Sequence, residues 1–556
     1  MNILFAFADD WGRYASAYAD RGPFGGISQL LETPAFDRVA REGVLFENAY
    51  VTAPSCTPCR SSLLSGRYFW QTGLGAILLG AVWDETIPTF PLELEKNGWF
   101  IGHTYKVWSP GKSYNAPYGG RRTAYEGAGV RFNRFSHEAV RRADSVGMPA
   151  AKQELLDEVR DNFLSFLDVR PEGKPFCYWW GPTNTHRTWE KGSGKSVWGM
   201  DPEQLKCRMP AFIPDVPEVR GDFNDYLGEC LAVDAGLEVL LSCLEQRGEL
   251  DDTLVIVSGD HGIPGMPRAK CNLYDIGLQV PLAVRLPDRI PGGRVISDFV
   301  NLMDLAPTLL EAAGVAIPEG MTASSLWPVL TSTSDGQVEA TRNFVVTGRE
   351  RHVDTAREGC LPYPQRAIRT RDHLLIVNFA PDRHPMGDPG LLSQGGNPIP
   401  YERLEADTHV VYADMDAGPT KAWMVWHRDQ PRWQGHAALA FGKRPLVELY
   451  DVTRDPAQMH NVAGQAAYAK VQWELENRLF QCLVAQQDPR VVEAEQGHAG
   501  CMEAWDGASF SAGGSPPRGP FSTHGETVPD CRYEHAPYAG PQQPFQLAPF
   551  GWPDEG

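Results

Sequence analysis

Pro54-Ser55-Cys56-Thr57-Pro58-Cys59-Arg60-Ser61-Ser62-Leu63-Leu64-Ser65-Gly66-Arg67 is the stretch from which the rest of the chain can be read. A proline is tolerated in the first turn of a helix, where its missing N–H would have no partner anyway. Gly66 then supplies a C-terminal stop. The run predicts a short helix with Cys56 at its N-terminus, where free N–H groups and the helix dipole favour an anion. Arg60, one turn on, adds a fixed cation. Two other readings compete. Cys56 fits a buried structural thiol, and Cys56 with Cys59 fits a Cys-x-x-Cys redox pair acidified by the same helix end. Taken alone, Cys-Thr-Pro-Cys favours the redox pair. The remainder of the chain argues against it.

The 556 residues carry 51 Lys and Arg against 70 Asp and Glu, a net charge of 51 − 70 = −19. That balance argues against nucleic acid as a partner, because phosphate backbones select basic surfaces. A small anionic substrate remains compatible, since a local cation cluster outweighs the global field. The eleven cysteines are scattered and odd in number, which suits a reducing compartment. Met1 to Ala8 runs into Asp9 with no basic segment or cleavage site, and no apolar run is long enough to span a bilayer. The expectation is a cytoplasmic protein without a membrane partner. A homo-oligomer stays open.

Residues 2–8 form a near-continuous apolar run, the pattern of a strand buried on both faces. Similar runs at 44–51, 99–105, 174–180, 253–259 and 280–285 alternate with helical patterns at 34–42, 92–98, 150–167, 222–247 and from 304. Residues 108–147 read as a long loop. Alternation of this kind predicts an α/β fold with a large, doubly wound, mostly parallel sheet. Short antiparallel strands near 344–346, 366–369, 373–379 and 448–451, with a helix at 467–487, predict a smaller α+β C-terminal domain. The expected organisation is 1–335, 336–488 and a Gly/Pro-rich extension over 489–556.

Each buried strand hands over to a polar cluster: Asp9-Asp10, Lys106, Thr183-Asn184-Thr185-His186, and Asp260-His261-Gly262 followed by Lys270. Individually these have bland explanations. An aspartate caps a turn, and a lone histidine usually serves as a structural hydrogen-bond partner. Ligands in open α/β sheets, however, bind beyond the carboxyl ends of the strands, and here every cluster falls there. Asp9, Asp10 and Asp260 with His261 offer mainly oxygen ligands, which select Ca²⁺, Mg²⁺ or Mn²⁺.

Cys56-Thr57-Pro58-Cys59-Arg60, followed by Leu63-Leu64-Ser65-Gly66-Arg67, resembles the signature of the type I sulfatases of the alkaline phosphatase-like superfamily. The family pattern is Cys-x-Pro-x-Arg, usually with serine or alanine fourth, where Cys59 stands here. The resemblance implies a cysteine oxidised to formylglycine by a formylglycine-generating enzyme, with the aldehyde hydrate at position 56 as nucleophile. It implies one divalent ion, usually calcium, on Asp9, Asp10, Asp260, His261 and the modified Cys56. It also implies Arg60 beside the nucleophile, Lys106 and Lys270 on the sulfate oxygens, and His186 at the leaving group. Trp108 occupies the place of a family histidine that contacts the formylglycine hydroxyl, and His103 is the nearest substitute in sequence.

Ala8-Asp9-Asp10-Trp11-Gly12-Arg13-Tyr14, Lys106-Val107-Trp108-Ser109-Pro110-Gly111 and Gly262-Ile263-Pro264 look most like the sulfamidase branch over about the first 310 residues. The implied substrate is a small sulfated sugar, or an aryl or alkyl sulfate. Trp11, Trp108, Trp179, Trp180 and Trp189 are candidates for walls that stack on a ring. A phosphodiesterase or phosphonate monoester hydrolase of the same superfamily, a Cys56–Cys59 redox protein and a non-catalytic binding protein are the alternatives.

Overall fold

The computed structural model describes residues 1–492, so most of the extension expected over 489–556 lies outside the described residues. Eleven strands form two sheets. They are β1 (Asn2–Ala8), β2 (Val44–Tyr50), β3 (Phe100–Tyr105), β4 (Phe176–Gly181), β5 (Thr253–Gly259), β6 (Leu282–Arg285) and β7 (Arg294–Asn301), then β8 (Phe344–Arg349), β9 (Gln365–Thr370), β10 (His373–Asn378) and β11 (Val447–Asp451). The large sheet has the order β3-β4-β1-β5-β6-β2-β7. Only β6 runs against its neighbours β5 and β2. The small sheet, β11-β10-β9-β8, is antiparallel throughout. This is the alkaline phosphatase-like α/β arrangement.

Strand β1 shows why the sheet forms. Ile3, Phe5 and Phe7 enter one apolar cluster, while Leu4, Ala6 and Ala8 enter another on the opposite face. A strand buried on both sides has no polar face to alternate with. The small sheet packs into the first cluster, with Leu374 and Ile376 joining Ile3 and Phe5. The 30-residue helix Pro217–Gln246 lies in the second.

Register brings the polar clusters together. Ala8 pairs with Gly259, so Asp9 and Asp260 leave adjacent strands side by side. Ala6 pairs with Trp180, and Tyr105 with Gly181, which brings the segments carrying His186 and Lys106 to the same edge. The helix Cys56–Ser65 follows β2 and ends at Gly66, whose φ of 62° is the left-handed cap a glycine accepts without strain.

Two segments depart from expectation. Phe135–Val146 is helical and packs against the next helix, Met148–Val169. Its Gly- and Arg-rich surroundings hid a short apolar stripe of Phe135 and Ala139. Between β10 and β11 lie three helices, Tyr401–Ala406, Pro419–His427 and Gln434–Phe441. Pro419–His427 rests on Pro217–Gln246, and its local sequence carries little periodicity because both of its flanks are covered. Among the described residues no helix is long and apolar enough to cross a membrane.

Candidate active site

The helix Cys56–Ser65 is entirely buried and begins with Cys56, so the thiol faces the strand ends. Cys56 Sγ lies 3.4 Å from His261 Nε2 and 3.9 Å from Asp10 Oδ1. His261 Nε2 is 3.2 Å from Asp10 Oδ1 and 3.6 Å from Asp260 Oδ1. Burial pushes the Cys56 thiol well up, and the Asp9 charge adds to it. Burial thus works against the acidified thiol that a reactive Cys-x-x-Cys pair needs. Cys56 and Cys59 are both free.

Arg60 organises the carboxylates. Its guanidinium is fully buried and donates to Asp260 Oδ2 at 2.8 Å, to Asp9 Oδ1 at 3.1 Å, and to the carbonyls of Lys106 and Val107 at 3.1 Å each. Lys106 Nζ donates to both oxygens of Asp9, at 2.7 and 2.8 Å. Lys270 Nζ donates to Asp10 Oδ2 at 2.9 Å and lies 3.4 Å from Asp416 Oδ2. Burial would raise Asp9, yet Lys106 and Arg60 hold it well below the ordinary carboxylate range. Burial pushes Asp260 upward.

His186 Nε2 is 3.9 Å from Asp10 Oδ2. Its Nδ1 donates to the Arg187 carbonyl at 2.7 Å, which assigns the free nitrogen to the cavity side. Backbone ties fix the constellation. The Cys271 N–H donates to the Pro54 carbonyl at 2.8 Å, joining the Lys270 and Cys56 segments. The Thr185 hydroxyl donates to the Asp9 carbonyl. Asp10 (φ 54°), Tyr105 (φ 67°) and Cys271 (φ 67°) are all left-handed. Each costs on the order of 1–3 kcal/mol and persists only where surrounding structure enforces it.

The donor set fits a divalent cation. Asp9, Asp10, Cys56 and His186 present ligand atoms within 4.8 Å of one another, as do Asp10, Cys56, Asp260 and His261. Asp9, Asp10 and Asp260 converge on one buried point with Arg60, Lys106 and Lys270 behind them. Carboxylate oxygens outnumber other donors, and they outnumber them further once the Cys56 sulfur is replaced by oxygen, so a hard cation suits the site better than zinc.

Asp9, Cys56, Lys106, His186 and Lys270 line one open cavity of about 720 Å³. The sequence reading missed several of its other walls. His352 lines it and places Nδ1 2.8 Å from Ser55 Oγ, next to Cys56. Burial pushes that imidazole down to about 3, so it is neutral. Thr408, His409 and Asp416 come from the insertion between β10 and β11, a segment whose motif-poor sequence gave no signal. Arg187 is locked onto Asp222 by two 2.7 Å bonds.

Two expectations need correction. His103 does not reach the cavity: its Nδ1 meets Thr123 Oγ1 at 3.2 Å, its ring meets Tyr118 edge-on, and burial pushes it down to about 4. The tryptophans form no stacking wall. Trp11, Trp179 and Trp180 are core residues, and Trp108 is buried with its Nε1 donating to Ser61 Oγ at 2.8 Å. None of the five lines the cavity.

A family model described as sulfatase matches residues 1–315. The chain belongs to the sulfatase family. It is 27% identical over 495 residues to an ulvan-active sulfatase of Formosa agariphila, covering 88% of this chain and 80% of that protein. It is also 27% identical over 528 residues to N-sulphoglucosamine sulphohydrolase of Homo sapiens, covering 88% of this chain and 91% of that one. A solved protein in complex with its substrate D-glucosamine-2-N,6-O-disulfate shares the fold. It has a TM-score of 0.58 at 20% identity, over 89% of this chain and 99% of that one. This sulfatase is accordingly a hydrolase of sulfate esters or sulfamates.

Proposed function

We propose that this sulfatase removes N- or O-linked sulfate from a hexosamine, using formylglycine at position 56 and a divalent cation, calcium before magnesium or manganese. The observation that carries the reading is Cys56 set 3.4 Å from His261 and 3.9 Å from the Asp10 carboxylate, in a cavity that two lysines also line. The names of the relatives support the substrate class: one acts on N-sulphoglucosamine, and a structural neighbour holds a disulfated glucosamine.

Asp9, Asp10, Asp260 and His261 would hold the cation, which when bound lowers the cost of ionising a nearby hydroxyl and offsets charge on a sulfonate. Formylglycine supplies a geminal diol, one hydroxyl for attack and the other for release. Because Cys56 is 2% exposed, the modifying enzyme must act before this helix is buried.

The remaining roles belong to the chain's own side chains. Lys106 and Lys270 present ammonium groups to the cavity and bind the non-bridging sulfonate oxygens, where charge stabilisation contributes most. Arg60 keeps Asp9 and Asp260 ionised and aligned. His186, in its imidazolium form, delivers the Nε2 proton to the departing oxygen or nitrogen. Its Nδ1–H stays on the Arg187 carbonyl.

The test is sulfate release from glucosamine 2-N-sulfate and glucosamine 6-O-sulfate, beside phosphate and phosphonate monoesters of matched alcohols. Sulfate turnover dominating supports the reading. Faster turnover of the phosphorus esters would assign a phosphonate hydrolase instead.

A further inference from the structure

The walls of the cavity differ sharply in how their charges are spent. Lys106 is committed to Asp9, Lys270 to Asp10 and Asp416, and Arg187 to Asp222. Arg134 lines the same cavity, is exposed, and has no hydrogen bond or ion pair among the described residues. The neighbouring Arg131 is paired with Glu158, so the local acid is already used. In a chain of net charge −19, an unneutralised guanidinium at the mouth of a catalytic cavity is a local reversal of the field.

Its position is not accidental to a mobile loop. The short turn Arg131–Arg134 is pinned on both sides: the Phe132 N–H donates to Glu158 at 3.0 Å, and Asn133 Oδ1 accepts from the Thr183 N–H at 2.9 Å. Thr183 in turn accepts from the His186 N–H at 3.0 Å. Arg134 therefore stands on the platform that carries His186, the leaving-group side of the cavity. A cavity of about 720 Å³ exceeds what one sulfated ring fills, leaving room for a further charged group.

We infer that Arg134 is a specificity determinant that binds a second anionic group on the leaving-group portion of the substrate. The substrate class is then a saccharide with at least two anions, either a second sulfate on the same sugar or a carboxylate on a linked uronic acid. A guanidinium suits both, because its planar fork matches either oxyanion with two parallel bonds. This rests on the sulfatase reading of the Cys56 site.

The experiment compares kcat/KM for three substrates: glucosamine 2-N-sulfate, glucosamine 2-N,6-O-disulfate, and a disaccharide of N-sulfated glucosamine linked to a uronic acid. Each is measured with wild type, Arg134→Gln and Arg134→Lys. The wild type is expected to prefer one of the two dianionic substrates. R134Q should erase about tenfold or more of that preference, mostly through KM, in keeping with a charge-assisted hydrogen bond, and R134K should restore part of it. Which dianion shows the effect identifies the second group as sulfate or carboxylate. Equal losses on all three substrates, or no loss of preference in R134Q, would overturn the inference. So would a wild type that prefers neither dianion. No sulfate release from any of the three substrates would instead overturn the hexosamine-sulfate reading of the Cys56 site. Melting temperatures of the three proteins separate misfolding from lost recognition, and R134K carries the comparison if R134Q does not fold.

Discussion

Replacing Arg60 with methionine removes the centre of the carboxylate cluster, and its cost can be worked from the contacts. Arg60 is 0% exposed and makes four hydrogen bonds: two to Asp260 and Asp9 and two to backbone carbonyls. Its guanidinium carbon also lies 5.1 Å over the Phe7 ring. Methionine keeps most of the apolar stem but leaves Asp260 Oδ2 and the Val107 carbonyl short of a partner, while Asp9 keeps Lys106 and the Lys106 carbonyl keeps the Trp179 Nε1–H. Removing one member of a buried ion pair costs about 3–5 kcal/mol, and the Val107 carbonyl, which loses this donor, adds to it. Against a total stability on the order of 5–15 kcal/mol, the loss is large. Part of it returns when Asp260 takes up a proton, since burial already pushes that carboxyl upward. R60K should fall between, because a single ammonium cannot reach four acceptors. The assay is urea unfolding followed by tryptophan fluorescence, with 16 tryptophans in the chain. Added calcium should raise the midpoint of both proteins, by about 2.7 kcal/mol at a hundredfold excess over Kd. An R60M midpoint within about 1 kcal/mol of wild type would refute the view that Arg60 holds these carboxylates.

Replacing His186 with alanine should lower kcat on sugar sulfates by roughly 10²–10⁴, but by less than about tenfold on nitrophenyl sulfate, whose leaving group needs no proton. Equal losses on both would remove its role as acid. Asp10→Asn should abolish the calcium-dependent rise in melting temperature, and calorimetry should register no calcium binding. Stability should also depend on pH at both extremes. Asp9, held below its unfolded value of about 4, contributes stability that is complete above that pH and lost as pH falls through the depressed value. Burial is the largest single influence on Lys106 and Lys270 and pulls both down. The anionic groups around them together outweigh it, Asp9 foremost for Lys106 and Asp10 then Asp416 for Lys270, so both end above the ordinary lysine value. Their share is complete below about pH 10.4 and lost as pH rises through the raised values. In urea midpoints measured without metal, the fall at acid pH should be smaller in Asp9→Asn and the fall at alkaline pH smaller in Lys106→Met than in wild type, and identical pH profiles in all three proteins would contradict the assignment.

Much of the fold was legible because β1 and β5 are bounded by unambiguous residues: continuous apolar runs that stop at Asp9 and Asp260. The meeting of Asp9, Asp10, Lys106, Asp260 and His261 followed from one rule about strand ends, since the register of parallel neighbours carries the rest, whereas Lys270 and the role of Cys56 came only with the resemblance to the sulfatase signature. His352, Thr408, His409 and Asp416 were not legible. They reach the cavity from beyond the large sheet, on segments fixed by partners far off in the chain, such as Asp222, which accepts from the Thr420 hydroxyl at 2.6 Å. No local spacing records a contact of that kind. The helix Phe135–Val146 failed for a different reason: its amphipathic stripe is short, and composition outweighed it. His103, Trp179 and Trp180 show the converse error, in which residues with chemical potential proved to be core because both faces of β3 and β4 are covered.

The central claim is that position 56 carries an aldehyde in the working enzyme. Trypsin releases residues 42–60 as one peptide containing Cys56 and Cys59. The decisive measurement is its mass, in protein coexpressed with a formylglycine-generating enzyme, set beside the sulfate-releasing activity of the same sample. A peptide lighter by the exchange of thiol for aldehyde, capturable by a hydrazide and present in proportion to activity, is the predicted result. Full multiple-turnover activity in a sample whose Cys56 is an unmodified thiol, or in the Cys56→Ser variant, would contradict it.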